Sequence, residues 1–326
     1  MSTQLTATDV TLQSGVRVSE LALAPGVVVR PTGGGVGVIV EGIDLAGPLD
    51  GATIRSLIAV WNHAGVVVLR DQEGLTPERQ VEVVEWFGRR FHRGAGPDAI
   101  DHLPMVGALP VQLLSNRDRR KPGNEVISDE RMAAATQELK MHSDVQDYSA
   151  PPDLTCLHAL VVPPPEAGGT TYFWDLFAAY DDLDEPTRSR IGSMRWRPRS
   201  TYSTMKGVKQ KAAVANDAPD QASPVTHPVV RTHPASGRRA LWLSTFTERL
   251  VGEFAAEPAA GVETEAELRR RLIGHLSDER YRYDHVWQDH DVLLWDNRAV
   301  NHARDTWDGR YLREMHRAQA GGSVPF

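Results

Sequence analysis

Short stretches rich in β-branched and aromatic residues recur along this chain, closed by glycine and proline turns, and they do not alternate regularly with helices. That pattern constrains the fold more than any other feature. Val36 to Ile43 ends at the turn Gly47-Pro48, and Val66-Val67-Val68-Leu69 reads as a buried strand. Strands are predicted at Pro110 to Leu114, at Leu154 to Val162, and at Thr170 to Trp174 after Gly168-Gly169. Others are predicted at 228–232, 240–246, 281–287, 291–295, 298–303 and 312–319. Ile54, Leu57, Ile58 and Trp61 have helical spacing and predict a helix over 51–63. Thr76-Pro77 is a capping hydroxyl followed by a first-turn proline, and the helix it starts should fade at Gly88. Further helices are expected at 176–183, 186–192 and 264–277. The expected fold is mainly β with flanking helices (α+β), built on a jelly-roll barrel. A doubly wound α/β sheet would need regular alternation.

A chain of 326 residues could hold two domains. Neither an internal repeat nor a linker is visible, so 1–326 reads as one domain. Residues 116–138 are heavily charged and read as a mobile loop. Residues 200–225 carry Lys206, Lys209 and Lys211 without periodicity and read as a surface excursion, a lid insertion. The net charge of −7 and pI near 6.0 give no global basic field for nucleic acid or an anionic membrane. Any anion recognition must be local, which points to a small-molecule substrate. The single cysteine, Cys156, rules out an internal disulfide framework and fits a reducing compartment. No secretory signal is visible, and no stretch approaches the roughly 20 apolar residues of a membrane span. The expected location is cytoplasmic. Monomer and homo-oligomer are both open.

Two distant segments carry the chemistry. One is Met141-His142-Ser143-Asp144; the other runs from Trp295 to Arg317 and contains His302. A lone His-x-Asp is weak, since twelve histidines give about one such triplet by chance. Its spacing still has a mechanical meaning. In an extended segment, residues two apart project to the same side, so His142 and Asp144 could share one ion. His302 follows the buried-looking strand Leu293-Leu294-Trp295 and a turn at Asp296-Asn297, and is the candidate third ligand. Two histidines and one carboxylate, with other positions open, form the ligand set of non-haem Fe(II) oxygenases. Arg313 lies eleven residues after His302, and Arg317 four further on. If 312–319 is a strand, both point to one face. Two inward guanidiniums need anions, and a dicarboxylate cosubstrate would supply them.

With these residues the chain resembles the taurine- and chlorophenoxyacetate-type dioxygenases (TauD/TfdA), a branch of the Fe(II)/2-oxoglutarate-dependent superfamily. The likeness runs from about Val36 to Arg317. It includes Gly168-Gly169-Thr170-Thr171, where the family carries Gly-Gly-Asp-Thr, and the segment from His227 to Gly237. The resemblance implies a double-stranded β-helix with a cupin-like core, and Fe(II) bound by His142, Asp144 and His302. It implies that Arg313 pairs with the distal carboxylate of 2-oxoglutarate, assisted by the Thr171 hydroxyl. O2 would be the other cosubstrate. Decarboxylation to succinate and CO2 would generate the oxidant that removes hydrogen from a C–H bond, and rebound would give an alcohol. Related halogenases lack the carboxylate, so Asp144 argues against halogenation. His227 and His233 read as structural, and Trp287 and Trp295 as core.

Substrate residues are harder to place. Glu138 stands where taurine enzymes carry a substrate-holding asparagine, and Asp147 and Tyr148 where they have an apolar aromatic. Arg317 matches a family arginine near the substrate anion and also belongs to the expected cosubstrate set. His92 is a candidate for the entrance. The site is expected to be polar and of mixed sign, for a small acid or zwitterion. The alternatives within the class are desaturation, cyclisation, or oxidative cleavage of a sulfonate, sulfate ester or nucleotide. From other classes, a non-catalytic cupin-like binding protein would not need all four of His142, Asp144, His302 and Arg313. A zinc hydrolase would have no use for Arg313 and Thr171.

Overall fold

The computed structural model describes residues 10–91, 105–117, 136–199, 225–254 and 261–326. His92, most of the charged stretch 116–138 and the three lysines of the expected lid lie outside these residues.

The chain begins with β1 (Val28–Pro31) and β2 (Val38–Glu41), followed by α1 (Gly51–Ala64), β3 (Val66–Leu69) and α2 (Pro77–Glu85). Next come β4 (Gln112–Ser115), β5 (Leu139–His142), β6 (Leu154–Val161) and β7 (Thr171–Asp175). Two short helices, α3 (Leu176–Asp181) and α4 (Glu185–Ile191), precede the small strands β8 (Arg195–Pro198), β9 (His227–Pro228), β10 (Val230–Thr232), β11 (Arg239–Leu241) and β12 (Thr247–Val251). The last part contains α5 (Glu265–Leu276), β13 (Arg282–His285), β14 (Val292–Asp296), β15 (Val300–Arg304) and β16 (Glu314–Ala320).

Two sheets form the jelly-roll core. One has seven strands in the order β1-β2-β3-β14-β6-β16-β4; the other has four, β13-β7-β15-β5. Their facing sides meet in a cluster that takes Val68, Leu157, Leu293 and Met315 from the larger sheet and Phe173 and Val300 from the smaller. Period-two alternation sends the intervening residues outward. Val67, Leu69, Leu154 and Leu294 therefore pack under α1 and α2, while Met141, Trp174 and Ala303 pack with α3 and α5. Each fully buried Leu or Val contributes about 1.5–3 kcal/mol of transfer free energy, so these outer layers fasten the helices to their sheets.

The helix starts follow their capping residues. The Asp50 carboxylate accepts from the Thr53 N–H, the Thr76 hydroxyl accepts from Arg79 N–H ahead of Pro77, and Thr264 with Glu267 forms a reciprocal capping box. The helix predicted to reach Gly88 stops at Glu85. The strand expected over 240–246 is shorter, because pairing with β10 ends at Leu241. β1, β5, β8 and β12 lie outside the predicted strands: each is short and mixes charged residues with apolar ones, so no apolar run marks it. Among the described residues, no helix is long and apolar enough to cross a membrane.

Candidate active site

The two histidines are brought together by strand pairing. His302 on β15 is the direct cross-strand partner of His142 on β5, and both face inward because Met141 and Ala303 face the outer helices. Their ring centroids lie 4.3 Å apart. Asp144 reaches the same point by another route. β5 ends at His142, so the two-residue spacing does not work through a continuous strand. The chain instead turns: the Asp144 N–H donates to Asn297 Oδ1 at 3.2 Å, and Val145 adopts a positive φ of 51°, unusual for a β-branched residue. That strained turn aims the carboxylate at the imidazoles.

The ligand atoms of His142, Asp144 and His302 all lie within 4.8 Å of one another, and this is the only such cluster of three among the described residues. His302 Nε2 stands 3.9 Å from Asp144 Oδ1, too far for a hydrogen bond. Two atoms each about 2.1 Å from a shared ion are separated by about 3–4 Å, so the spacing fits a divalent cation. The His142 Nδ1 lies 2.8 Å from the Lys140 carbonyl, which can only accept. Nδ1 therefore carries the proton, and Nε2 keeps its lone pair for a metal. Burial depresses both imidazoles, His302 to about 3, which keeps them neutral as ligands must be. Burial alone would raise Asp144, but His302, Arg317 and His142 outweigh it and hold the carboxyl well below its usual range.

Arg317 and Arg313 are placed differently from each other. β16 begins only at Glu314 and has an irregularity between Glu314 and Met315, so Arg313 precedes the regular strand and the single-face argument does not carry. Arg317 donates through Nη1 to Asp144 Oδ1 at 3.3 Å and through Nε to Gln112 Oε1 at 2.7 Å. It therefore has protein partners of its own. Arg313 is 5% exposed, and its Nε makes no hydrogen bond among the described residues. Its guanidinium lies 5.3 Å from the centre of the Trp307 ring, whose other neighbour is Arg304 at 4.4 Å. Burial and the neighbouring Arg304 charge push Arg313 down to about 9. A buried cation whose charged neighbour is another cation calls for an added anion.

The surroundings of Arg313 form a cavity lined by Gly168, Gly169, Thr170, Trp287 and Arg313. The glycine pair makes this corner feasible. At Gly168, φ is +85° and a Cβ would sit 2.4 Å from the Thr306 carbonyl, while the Gly169 N–H donates to that same carbonyl at 3.0 Å. Thr171, on the inner face of β7, accepts from Trp287 Nε1 at 2.9 Å, which leaves its own O–H available to donate. Trp287 is thus both core and cavity wall. Thr171 is paired with Arg304, two residues along β15 from His302, a step of about 7 Å.

The expected substrate residues are less concentrated. Glu138 is exposed and pairs with Lys140 at the surface, so its described contact does not lead to the ligand cluster. Asp147 and Tyr148 are half-buried, and Tyr148 meets Phe91 edge-on at 6.1 Å. His227 and His233 are structural as expected: His227 Nε2 lies 2.8 Å from the Gln146 carbonyl, and His233 Nε2 lies 3.0 Å from Asp296. Sequence reasoning missed Gln112, Thr155, Asn297 and Gln319, whose ordinary amides and hydroxyl give no local signal.

The sequence matches the family described as Taurine catabolism dioxygenase TauD, TfdA family, over residues 29–319. The chain belongs to this family. It is 30% identical to the (S)-phenoxypropionate/alpha-ketoglutarate-dioxygenase of Sphingobium herbicidovorans, across 92% of this chain and 96% of that one. It is 27% identical to the pentalenolactone F synthase of Streptomyces arenae, across 87% and 91%. Among solved structures it is similar to AAD-2 in complex with Mn(II) and N-oxalylglycine, with a TM-score of 0.72, 26% identity, and coverage of 92% of this chain and 98% of that one. This TauD/TfdA protein is an Fe(II)- and 2-oxoglutarate-dependent dioxygenase acting on a small molecule, which sets aside the binding-protein and hydrolase alternatives.

Proposed function

We propose that His142, Asp144 and His302 hold the iron, that Arg313 and Thr171 anchor the distal carboxylate of 2-oxoglutarate, and that the enzyme oxidises an unactivated C–H bond of a small anionic or zwitterionic molecule. One observation carries the reading. His302 of the three-ligand cluster and Thr171 share the inner face of one sheet, and Thr171 is hydrogen-bonded to Trp287, which lines the same cavity as Arg313, a buried guanidinium with no acid partner among the described residues. A five-carbon diacid spans the step of about 7 Å from the His302 position to that of Thr171.

When bound, the iron and the keto acid turn O2 into an oxidant for C–H bonds, releasing succinate and CO2. The protein's part is placement. Arg313 supplies charge, and Thr171 supplies a hydroxyl that Trp287 turns into a donor. Phe173 and Trp295 flank His302 and keep water from its ring. Arg317 is the candidate anchor for the substrate anion: its contacts to Gln112 and Asp144 hold the guanidinium at the ligand cluster. Asp147 and Tyr148, half-buried beyond Asp144, are candidate contacts for a cationic or hydroxyl group. Glu138 would serve there only if substrate drew it away from Lys140.

Anaerobic titration with Fe(II) and then 2-oxoglutarate tests the assignment, followed by a screen of carboxylates, amino acids and sulfate esters for O2-dependent succinate release. A 1:1:1 complex with substrate-stimulated succinate is expected. Failure of 2-oxoglutarate to bind the Fe(II)-loaded protein would sink it.

A further inference from the structure

We propose that Thr155 is a positioning residue that fixes Asp144 as a one-oxygen ligand. The inference rests on the ligand assignment above and concerns how this chain prepares the carboxylate. Thr155 is fully buried on β6, opposite Trp295 of β14 on one side and Gln319 of β16 on the other. Its Oγ1 lies 2.6 Å from Asp144 Oδ2, 3.0 Å from Asn297 Nδ2 and 2.9 Å from Gln319 Nε2.

A hydroxyl has one hydrogen and two lone pairs, so three contacts leave it no spare valence. The Asn297 amide is fixed in orientation. Its Oδ1 accepts from the Asp144 N–H and from Trp295 Nε1 at 3.1 Å, groups that can only donate. Nδ2 must therefore face Thr155 and fill one lone pair. A ligating carboxylate has no proton to give, so the Thr155 hydrogen goes to Oδ2. Gln319 then has to fill the second lone pair through Nε2. Each contact has a single permitted direction.

The consequence falls on the carboxylate. Oδ2 takes the short hydrogen bond from the hydroxyl, while Oδ1, which faces His302 Nε2 and accepts only the longer 3.3 Å contact from Arg317 Nη1, keeps a lone pair directed at the ion. A second carboxylate oxygen on the metal would occupy a position that a three-ligand site must keep open for its cosubstrates. Without the hydroxyl, Oδ2 loses the hydrogen bond that opposes its rotation towards two-oxygen coordination.

Thr155→Val keeps the branched shape and removes only the hydroxyl. Mn(II) affinity read by electron paramagnetic resonance, and Co(II) coordination read by visible absorption with and without N-oxalylglycine, test the idea. Thr155→Val should weaken Mn(II) binding about 10- to 100-fold. It should also shrink the spectral response of bound Co(II) to N-oxalylglycine, and Thr155→Ser should restore both. Wild-type affinity and response in Thr155→Val, or a Thr155→Ser variant as defective as Thr155→Val, would overturn the proposal. If Thr155→Val does not fold by circular dichroism, Gln319→Met replaces it; that variant removes one of the two directing donors and should give a smaller loss, and no change would overturn the proposal. Equal Mn(II) affinity of the wild type and His302→Ala would overturn the ligand assignment as well, whereas wild-type affinity and response in Thr155→Val, in a protein that loses Mn(II) with His302→Ala, overturns this inference alone.

Discussion

Asp144 and Arg313 are both buried charges, but their surroundings differ. Around the carboxylate the fold places a hydroxyl, a guanidinium and two imidazoles, together with a backbone N–H locked to Asn297. Around the guanidinium it places an indole, two glycines and a second arginine. One end of the site is assembled before any ligand arrives, and the other keeps an unmet demand for negative charge. Burying an unpaired charge is expensive, so that demand is a sign of function where a satisfied ion pair would not be.

The largest expected effect comes from removing the unmet charge. Arg313→Leu should raise the KM for 2-oxoglutarate about 30- to 1000-fold, as expected when one partner of a buried charge pair is lost. The same variant should melt no lower than the wild type without cosubstrate, because an uncompensated cation has been replaced by an apolar side chain. A lower melting temperature with an unchanged KM would erase the contrast between the two ends.

Arg317→Ala probes the assembled end. It should raise the KM for an anionic substrate about tenfold or more, as for a hydrogen bond to a charged group, while changing the 2-oxoglutarate KM much less. Unchanged constants for both would remove the role assigned to Arg317. Thr171→Val takes away one hydroxyl beside the unmet charge and should weaken 2-oxoglutarate about tenfold, read by anaerobic titration. A drop in substrate affinity alone would place Thr171 at the wrong end.

The smallest effect concerns a third buried charge. Asp175 accepts from Gln13 and from the first N–H groups of α3, but burial outweighs these donors and pushes its carboxyl up to about 6. The native state therefore favours the protonated acid more than the unfolded chain does. Its contribution to stability is complete below about pH 4 and is lost as pH rises through about 6. Asp175→Asn keeps the helix cap and should flatten that part of the melting-temperature profile. A wild-type profile in the variant would show that hydrogen bonds alone can keep a buried carboxylate ionised here, and would weaken the contrast drawn with Asp144.

Much of this was legible in the sequence, for identifiable reasons. β3 is a continuous apolar run, β6 and β14 are mainly apolar, and the Thr76-Pro77 start is a local signal, so all could be read directly. His142, Asp144 and His302 were legible through residue type, although the mechanism supposed for the first two was wrong. The strand ends between them, and Val145 makes the turn. Arg313 and Arg317 were legible by residue type, and the resemblance gave them different roles, but the shared strand face expected of them was wrong, because the irregularity in β16 separates them and only long-range packing shows it. Thr155, Asn297 and Gln319 were not legible at all. Their meaning lies in hydrogen-bond direction across three strands, which no local spacing records.

The pairing of His302 with His142 has one more consequence. Among the described residues β5 is an edge strand, paired on one side with β15, and the stretch of sequence leading into it is rich in charge. A cation gripped by rings on both strands would act as a clasp, fastening that edge to the sheet and penalising any slip by one residue, which would turn a ring to the outside. The catalytic ion would then also certify that the last strand had been laid in the right place.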